Sequence, residues 1–184
     1  MYFDDAGKQH TDETLRIAKR EAEKRGIKHV VVASTKGDTG VKAAKLFAGT
    51  DIGVVVVTHN TGFSKPGENE LEPEKRAEIE KNGGVIYTGT HVLRGLGGAI
   101  RSNCGNFSHE QVVAMTLRIF CQGVKVCVEI AAMAADAGLV PAGDIIAVGG
   151  TARGADTCLL VGAAPSNKFF DIKVREVLAK PAKF

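Results

Sequence analysis

Tryptophan is absent, tyrosine occurs twice, and the eight phenylalanines are not interleaved with basic residues. The chain therefore lacks the mixed aromatic and cationic surface on which nucleobases stack. An excess of one charge is missing too: 24 Lys and Arg stand against 21 Asp and Glu, a net +3 spread along the chain. That field is too weak to argue for a nucleic-acid partner. Long apolar runs are also lacking, because Glu129, Asp136 or glycine interrupts them well short of the ~20 residues a membrane span requires. The polar N-terminus has no signal-peptide core, so a soluble cytoplasmic protein with no membrane partner is expected. The four cysteines (Cys104, Cys121, Cys127 and Cys158) form no C-x-x-C pair and no zinc-like spacing, and no metal site is expected. Cys104, in the polar run 102–106, has no evident general base beside it.

What is present fits one compact domain over residues 1–184, with 44% hydrophobic and 24% charged residues. Twenty-two glycines cluster between apolar runs, where backbone or ligand approaches closely. Thr11 reads as an N-cap for a helix ending at Gly26. Strand-like runs follow at His29–Ser34, Val54–Val57, Val85–Tyr87, Ile145–Val148, Thr157–Val161 and Phe170–Leu178, with helices near Thr39–Phe47 and Glu72–Asn82 between the first three. Ser108 with Gln111 reads as a capping box. The apolar stretch from Val112 to Ala137 reads as two helices divided at Gly123, and such helices need a cover of sheet or a second subunit, so a homo-oligomer is expected. The fold class is α/β, a three-layer sandwich with a mostly parallel central sheet, helices on both faces and antiparallel strands at the C-terminal end. Right-handed crossovers gather the loops after the strands on one sheet edge, where open α/β sheets bind ligands.

Those loops carry the candidate site. Ser34, Thr35, Lys36, Gly37, Asp38, Thr39 and Gly40 leave a strand and open a helix; hydroxyls, a lysine and free helix-end N–H groups suit a phosphate, although a capped tight turn has the same residues. No Walker A pattern is present. Gly149, Gly150, Thr151, Ala152, Arg153, Gly154, Ala155, Asp156 and Thr157 follow a later strand; they offer N–H groups and an arginine to an anion, or simply form a β-hairpin. Thr58, His59, Asn60, Thr61, Gly62 and Phe63, and Thr88, Gly89, Thr90 and His91, put a threonine and a histidine at two strand ends. His59 and His91 are weak candidates for acid/base catalysis, with polar contacts the plainer alternative. Phe63 offers a face for a ring. Residues 59–72 are polar enough to form a lid. Arg94 to Arg101 reads as a loop with two arginines facing a ligand or a neighbour.

Several segments in order, namely Val31-Val32-Ala33-Ser34-Thr35, Thr58-His59 through Gly67-Glu68-Asn69-Glu70-Leu71, Gly123 to Glu129, Ala137 to Asp144, and Gly149-Gly150-Thr151 through Asp156-Thr157, resemble a family of small stand-alone proteins similar to the C-terminal α/β domain of pyruvate kinase. The resemblance covers essentially the whole chain. It implies the fold above and, from pyruvate kinase, a regulatory domain with an effector phosphate site and subunit contacts. Pyruvate kinase activity is not expected, because the carboxylate metal ligands and catalytic lysine of that enzyme's barrel have no counterpart here. The stand-alone family is associated with flavin mononucleotide (FMN), so the resemblance implies an FMN site among Ser34, Thr35, Gly37, Thr39, Gly40, Thr58, His59, Gly149, Gly150, Thr151, Gly154, Asp156 and Thr157. Three functions follow as expectations: a binder of FMN or a similar phosphorylated small molecule, an enzyme acting on a phosphorylated metabolite through His59 or His91, or a ligand-free regulatory or assembly subunit.

Overall fold

The computed structural model describes residues 1–184. Seven strands form one sheet in the order β1 (Tyr2–Phe3), β7 (Lys173–Pro181), β6 (Thr157–Ala163), β5 (Gly143–Gly149), β2 (His29–Ala33), β3 (Gly53–Thr58), β4 (Val85–Thr88). Strands β5, β2, β3 and β4 run parallel, while β6 is antiparallel to both β5 and β7. The fold class is thus the α/β sandwich with antiparallel strands at the C-terminal end. The β1 pairing with β7 has no signal in two residues of sequence.

Strand alternation explains the three layers. Val30, Val32, Val54, Val56, Ile146 and Val148 face one way and pack with Leu15, Ile17 and Ala18 of α1 (Thr11–Arg25), Ala43, Ala44 and Phe47 of α2 (Asp38–Phe47) and Ile79 of α3 (Pro73–Lys81). Val31, Val55, Val57, Ile145 and Ala147 face the other way, onto Val124, Cys127, Val128, Ala131 and Ala134 of α6 (Gln122–Asp136). Because α6 packs against the sheet and is flanked by the helix before it and by residues 166–171, its mixed apolar faces are covered within the chain. Its neighbour α5 (His109–Arg118) leaves Val112 and Met115 exposed, and Ile119 and Phe120 after it are exposed as well. No helix is long and apolar enough to cross a membrane.

Five local expectations need correction. Thr11 does not cap α1 through its own side chain; it is the first helical residue, and its hydroxyl donates to the Lys8 carbonyl at 2.7 Å and accepts from the Ala155 N–H at 3.0 Å. The Ser108–Gln111 box does not form: Ser108 stands at the N-cap position without a capping bond, and Gln111 turns inward to the Leu93 carbonyl. The break between the apolar helices falls at Ile119–Cys121 instead of Gly123, which lies in the first turn of α6. A Cβ there would collide with Thr157 and Asp156, so this glycine lets the helix end approach the sheet. Finally, residues Gly95–Cys104 form a helix, α4, and residues 166–171 form a 3-10 turn before β7 begins at Lys173.

The chain builds β2, β3 and β4 outward in one direction, then returns to place β5 on the other side of β2. The reversal between β2 and β5 opens a crevice at the C-terminal ends of these strands, the usual ligand position in such sheets.

Candidate functional site at the sheet edge

A cleft of about 690 Å³ lies at that reversal. The loops after β2, β3, β4 and β5 all reach it. Of the residues singled out from the sequence, Ser34, Thr35, Lys36, Thr39, Thr58, His59, Phe63, His91, Gly150, Arg153 and Gly154 line its wall. Gly37, Gly40, Asn60, Thr61, Gly62, Thr90, Gly149, Thr151, Asp156 and Thr157 do not. The two glycine loops, residues 34–40 and 149–157, therefore share one cleft although more than a hundred residues separate them.

At one end, the turn after β2 feeds α2. Gly37, at φ 106°, occupies the N-cap position where an L side chain is strained. The Ser34 hydroxyl accepts from the Gly40 N–H at 3.0 Å, so this serine serves the helix end. The Thr39 N–H takes no backbone acceptor and belongs to the positive end of the helix dipole. Asp38 does not cancel that charge alone, because it is paired with Lys75 at 2.6 Å and its carboxyl is held below the usual range chiefly by that lysine. Lys36 and Arg153 line the cleft without any carboxylate within 4 Å.

The loop after β5 is a β-hairpin connection to β6, as its antiparallel register requires. It holds Ala152 at φ 59° and Gly154 at φ 74°. A Cβ on Gly154 would stand 2.6 Å from Lys8 Cα, so the N-terminal segment sits directly on the hairpin and brings Lys8 and Thr11 to the cleft. Asp156 builds this wall instead of touching its contents. Fully buried, it accepts from the Gly7 N–H at 3.0 Å, the Thr151 N–H at 3.3 Å and the Thr157 hydroxyl at 2.8 Å.

On the other side of β2, two histidines meet with ring centroids 5.4 Å apart. His59 Nδ1 faces Glu70 Oε2 at 2.7 Å, and Phe63 stacks on its ring at 3.8 Å. Burial draws His59 below its ordinary pKa despite the opposing pull of Glu70. A neutral His59 that donates from Nδ1 leaves Nε2 as an acceptor, 3.4 Å from the Thr35 hydroxyl. His91 repeats the arrangement: Nδ1 lies 3.4 Å from Glu129 Oε2, and its buried Nε2 has no protein partner. Of residues 59–72, His59 and Phe63 reach the cleft, the first tied to Glu70 and the second covered by Arg94, whose guanidinium carbon lies 4.3 Å from the Phe63 ring centroid.

The wall supplied by α6 and its neighbours contains Arg94, one of the two arginines read from the sequence as facing a ligand or a neighbour, but Arg118, Gln122, Lys125 and Glu129 are not among the site residues read there. Lys125 and Glu129, one helical turn apart, are both buried and paired with each other. Glu129 also accepts from the Leu93 N–H at 3.0 Å. Burial works against its charge, but His91 and Lys125 outweigh it and hold Glu129 at a pKa of about 2. Burial pulls Lys125 down, against Glu129. Arg94, Arg118 and Gln122 join them on the cleft surface. Altogether seven Lys and Arg side chains line the cleft against two carboxylates, Asp38 and Glu129. This arrangement can hold an anion.

A family model described as pyruvate kinase, alpha/beta domain, matches residues 12–161. Among solved structures, a Cryptosporidium parvum pyruvate kinase is 16% identical, with a TM-score of 0.43 over 84% of this chain and 23% of that one. An O-ureido-L-serine synthase is 20% identical, with a TM-score of 0.33 over 60% of this chain and 29% of that one. The chain thus spans less than a third of either structure's length.

Proposed function

The chain belongs to the pyruvate kinase alpha/beta domain family, and from that premise we propose that it binds a phosphorylated small molecule in the cleft at the sheet edge. The phosphate lies at the Ser34–Thr39 end, held by the N-terminal N–H groups of α2, by Lys36 and by Arg153. A flat ring lies along His59 and Phe63. FMN meets both requirements and is the ligand we name, with any redox chemistry supplied by the flavin. The observation that carries the reading is the meeting of Ser34, Thr35, Lys36, Thr39 and Arg153 in one cleft, beside a helix N-terminus and with no carboxylate within 4 Å of Lys36 or Arg153. Titration of the purified protein with FMN tests it, with riboflavin as the control lacking phosphate. Quenched flavin fluorescence and a raised melting temperature with FMN, and a much weaker response to riboflavin, are expected. No response to FMN removes the flavin, and equal responses to both remove the phosphate site.

A second reading is an enzyme that moves a proton on a bound phosphorylated metabolite. It is favoured by His91, a cleft-lining residue whose buried Nε2 has no partner, with Glu129 beside Nδ1 to fix its tautomer. His91 would act as the base and His59 as its partner, while Lys36 and Arg153 orient the phosphate. Turnover of a panel of phosphorylated metabolites, lost in His91→Gln with retained ligand affinity, supports it; turnover that survives in both His91→Gln and His59→Gln overturns it.

A further inference from the structure

Residues 1–11 lie outside the family match, which begins at residue 12, yet two of them, Lys8 and Thr11, line the cleft. Hydrogen bonds spaced along this segment and into α1 seat it on the hairpin of residues 149–157. The Gly7 N–H donates to Asp156 at 3.0 Å, the Ala155 N–H to the Thr11 hydroxyl at 3.0 Å, and the Thr14 hydroxyl to the Ala155 carbonyl at 3.3 Å. Between Gly7 and Thr11, Lys8 opens a 3-10 turn and lies against Gly154, where an added Cβ would stand 2.7 Å from Lys8 Cβ. Arg153 is the residue before this contact. Asp12 holds Lys42 of α2 at 2.7 Å, so the N-terminal segment, the hairpin and α2 meet around one end of the cleft. The acids nearest Lys8 in the chain are engaged, Asp5 with His10 at 2.8 Å and Asp12 with Lys42, and no carboxylate lies within 4 Å of the Lys8 ammonium. A lysine whose stem is packed against the wall and whose ammonium has no counter-ion is placed to take a bound anion.

We propose that Lys8 is a third phosphate-binding cation beside Lys36 and Arg153, and that residues 7–11 are a brace that the ligand tightens. The inference rests on the reading of the Ser34–Thr39 end as the phosphate site. A phosphate that engages Lys8 and Arg153 together holds the N-terminal segment onto the hairpin. Its binding is then linked to the closed state of the Gly7–Asp156 and Ala155–Thr11 hydrogen bonds, which it stabilises.

Lys8→Gln and Lys24→Gln test it: both remove one positive charge, but Lys24, exposed in the last turn of α1, does not line the cleft. Calorimetry with phenyl phosphate at fixed ionic strength is expected to give about five- to tenfold weaker binding in Lys8→Gln and native binding in Lys24→Gln. Saturating phenyl phosphate is expected to slow amide exchange at Gly7 and Ala155 in the native protein, and to slow it less in Lys8→Gln. Melting curves of the variants confirm that each folds. Native affinity in Lys8→Gln overturns the inference and leaves the phosphate reading standing. An equal loss in Lys8→Gln and Lys24→Gln also overturns it, because net charge then accounts for the effect. Exchange at Gly7 and Ala155 that phenyl phosphate leaves unchanged overturns the brace. Failure of the native protein to bind phenyl phosphate overturns the phosphate reading itself, and this inference with it.

Discussion

His59 Nδ1 stands 2.7 Å from Glu70 Oε2, a contact that ties the two ends of the segment between them together at the cleft rim. Burial lowers the histidine's proton affinity by more than Glu70 raises it. The folded chain therefore binds this proton less readily than the unfolded one. The resulting stability is complete above the ordinary histidine value of about 6.5 and is lost as pH falls from there through the lowered folded value. The melting temperature should drop between about pH 7 and pH 5, and His59→Gln should flatten that slope. Proton NMR should place the His59 titration below the ordinary value, and Glu70→Gln should move it down by about one further pH unit.

Removing half of the buried Lys125–Glu129 pair is expected to cost much more than removing both. Glu129→Leu leaves an ammonium buried without its carboxylate and should lower the unfolding free energy by about 3 to 5 kcal/mol. The double variant Lys125→Met with Glu129→Leu should recover most of that loss. Urea unfolding of the single and double variants reads the difference; equal losses in both would contradict it.

Glycine to alanine within a helix ordinarily stabilises, but Gly40 in α2 should behave the other way. A Cβ there would stand 2.8 Å from Val56 Cγ1 and 2.9 Å from Ile79 Cδ1. Gly40→Ala should therefore destabilise by about 1 to 3 kcal/mol in denaturant melts, whereas unchanged or raised stability would show that α2 can move off β3.

Asp156 joins the hairpin to the N-terminal loop through three accepted hydrogen bonds. Asp156→Ala strands those donors and should cost about 1 to 3 kcal/mol for each that water cannot reach. Faster amide exchange at Gly7 and Thr151 should accompany the loss, and protection equal to the native protein's would contradict the assignment.

The elements that position the site were legible where local chemistry and tertiary packing agree. Val54–Val57 reads as a doubly covered strand and is one, and the 34–40 turn shows its strand, hydroxyls and helix start within a few residues. Elsewhere long-range contacts decide. Thr11 looks like a cap, but Lys8 and Ala155 engage its hydroxyl. The three glycines of residues 95–98 argue for a loop, yet Gly95–Cys104 is helical, and Gly97 lies so close to Ser108 that a Cβ would clash with it. Lys125 and Glu129 have the spacing of an exposed helical ion pair. Only the folding of α6 against the sheet buries them, so their place on the cleft was not legible in the sequence, although that of Arg94 was. Asp156 and Thr157, quoted as site residues, carry a strong motif whose task is to hold the wall together.

The shared binding of one phosphate by two remote loops is tested most directly by amide NMR during titration with phenyl phosphate, with benzyl alcohol as the uncharged control. The signals of residues 35–39 and 150–154 are expected to move together on one saturating curve, and benzyl alcohol is expected to leave them in place. Signals that stay fixed, or a response from only one of the two loops, would contradict it.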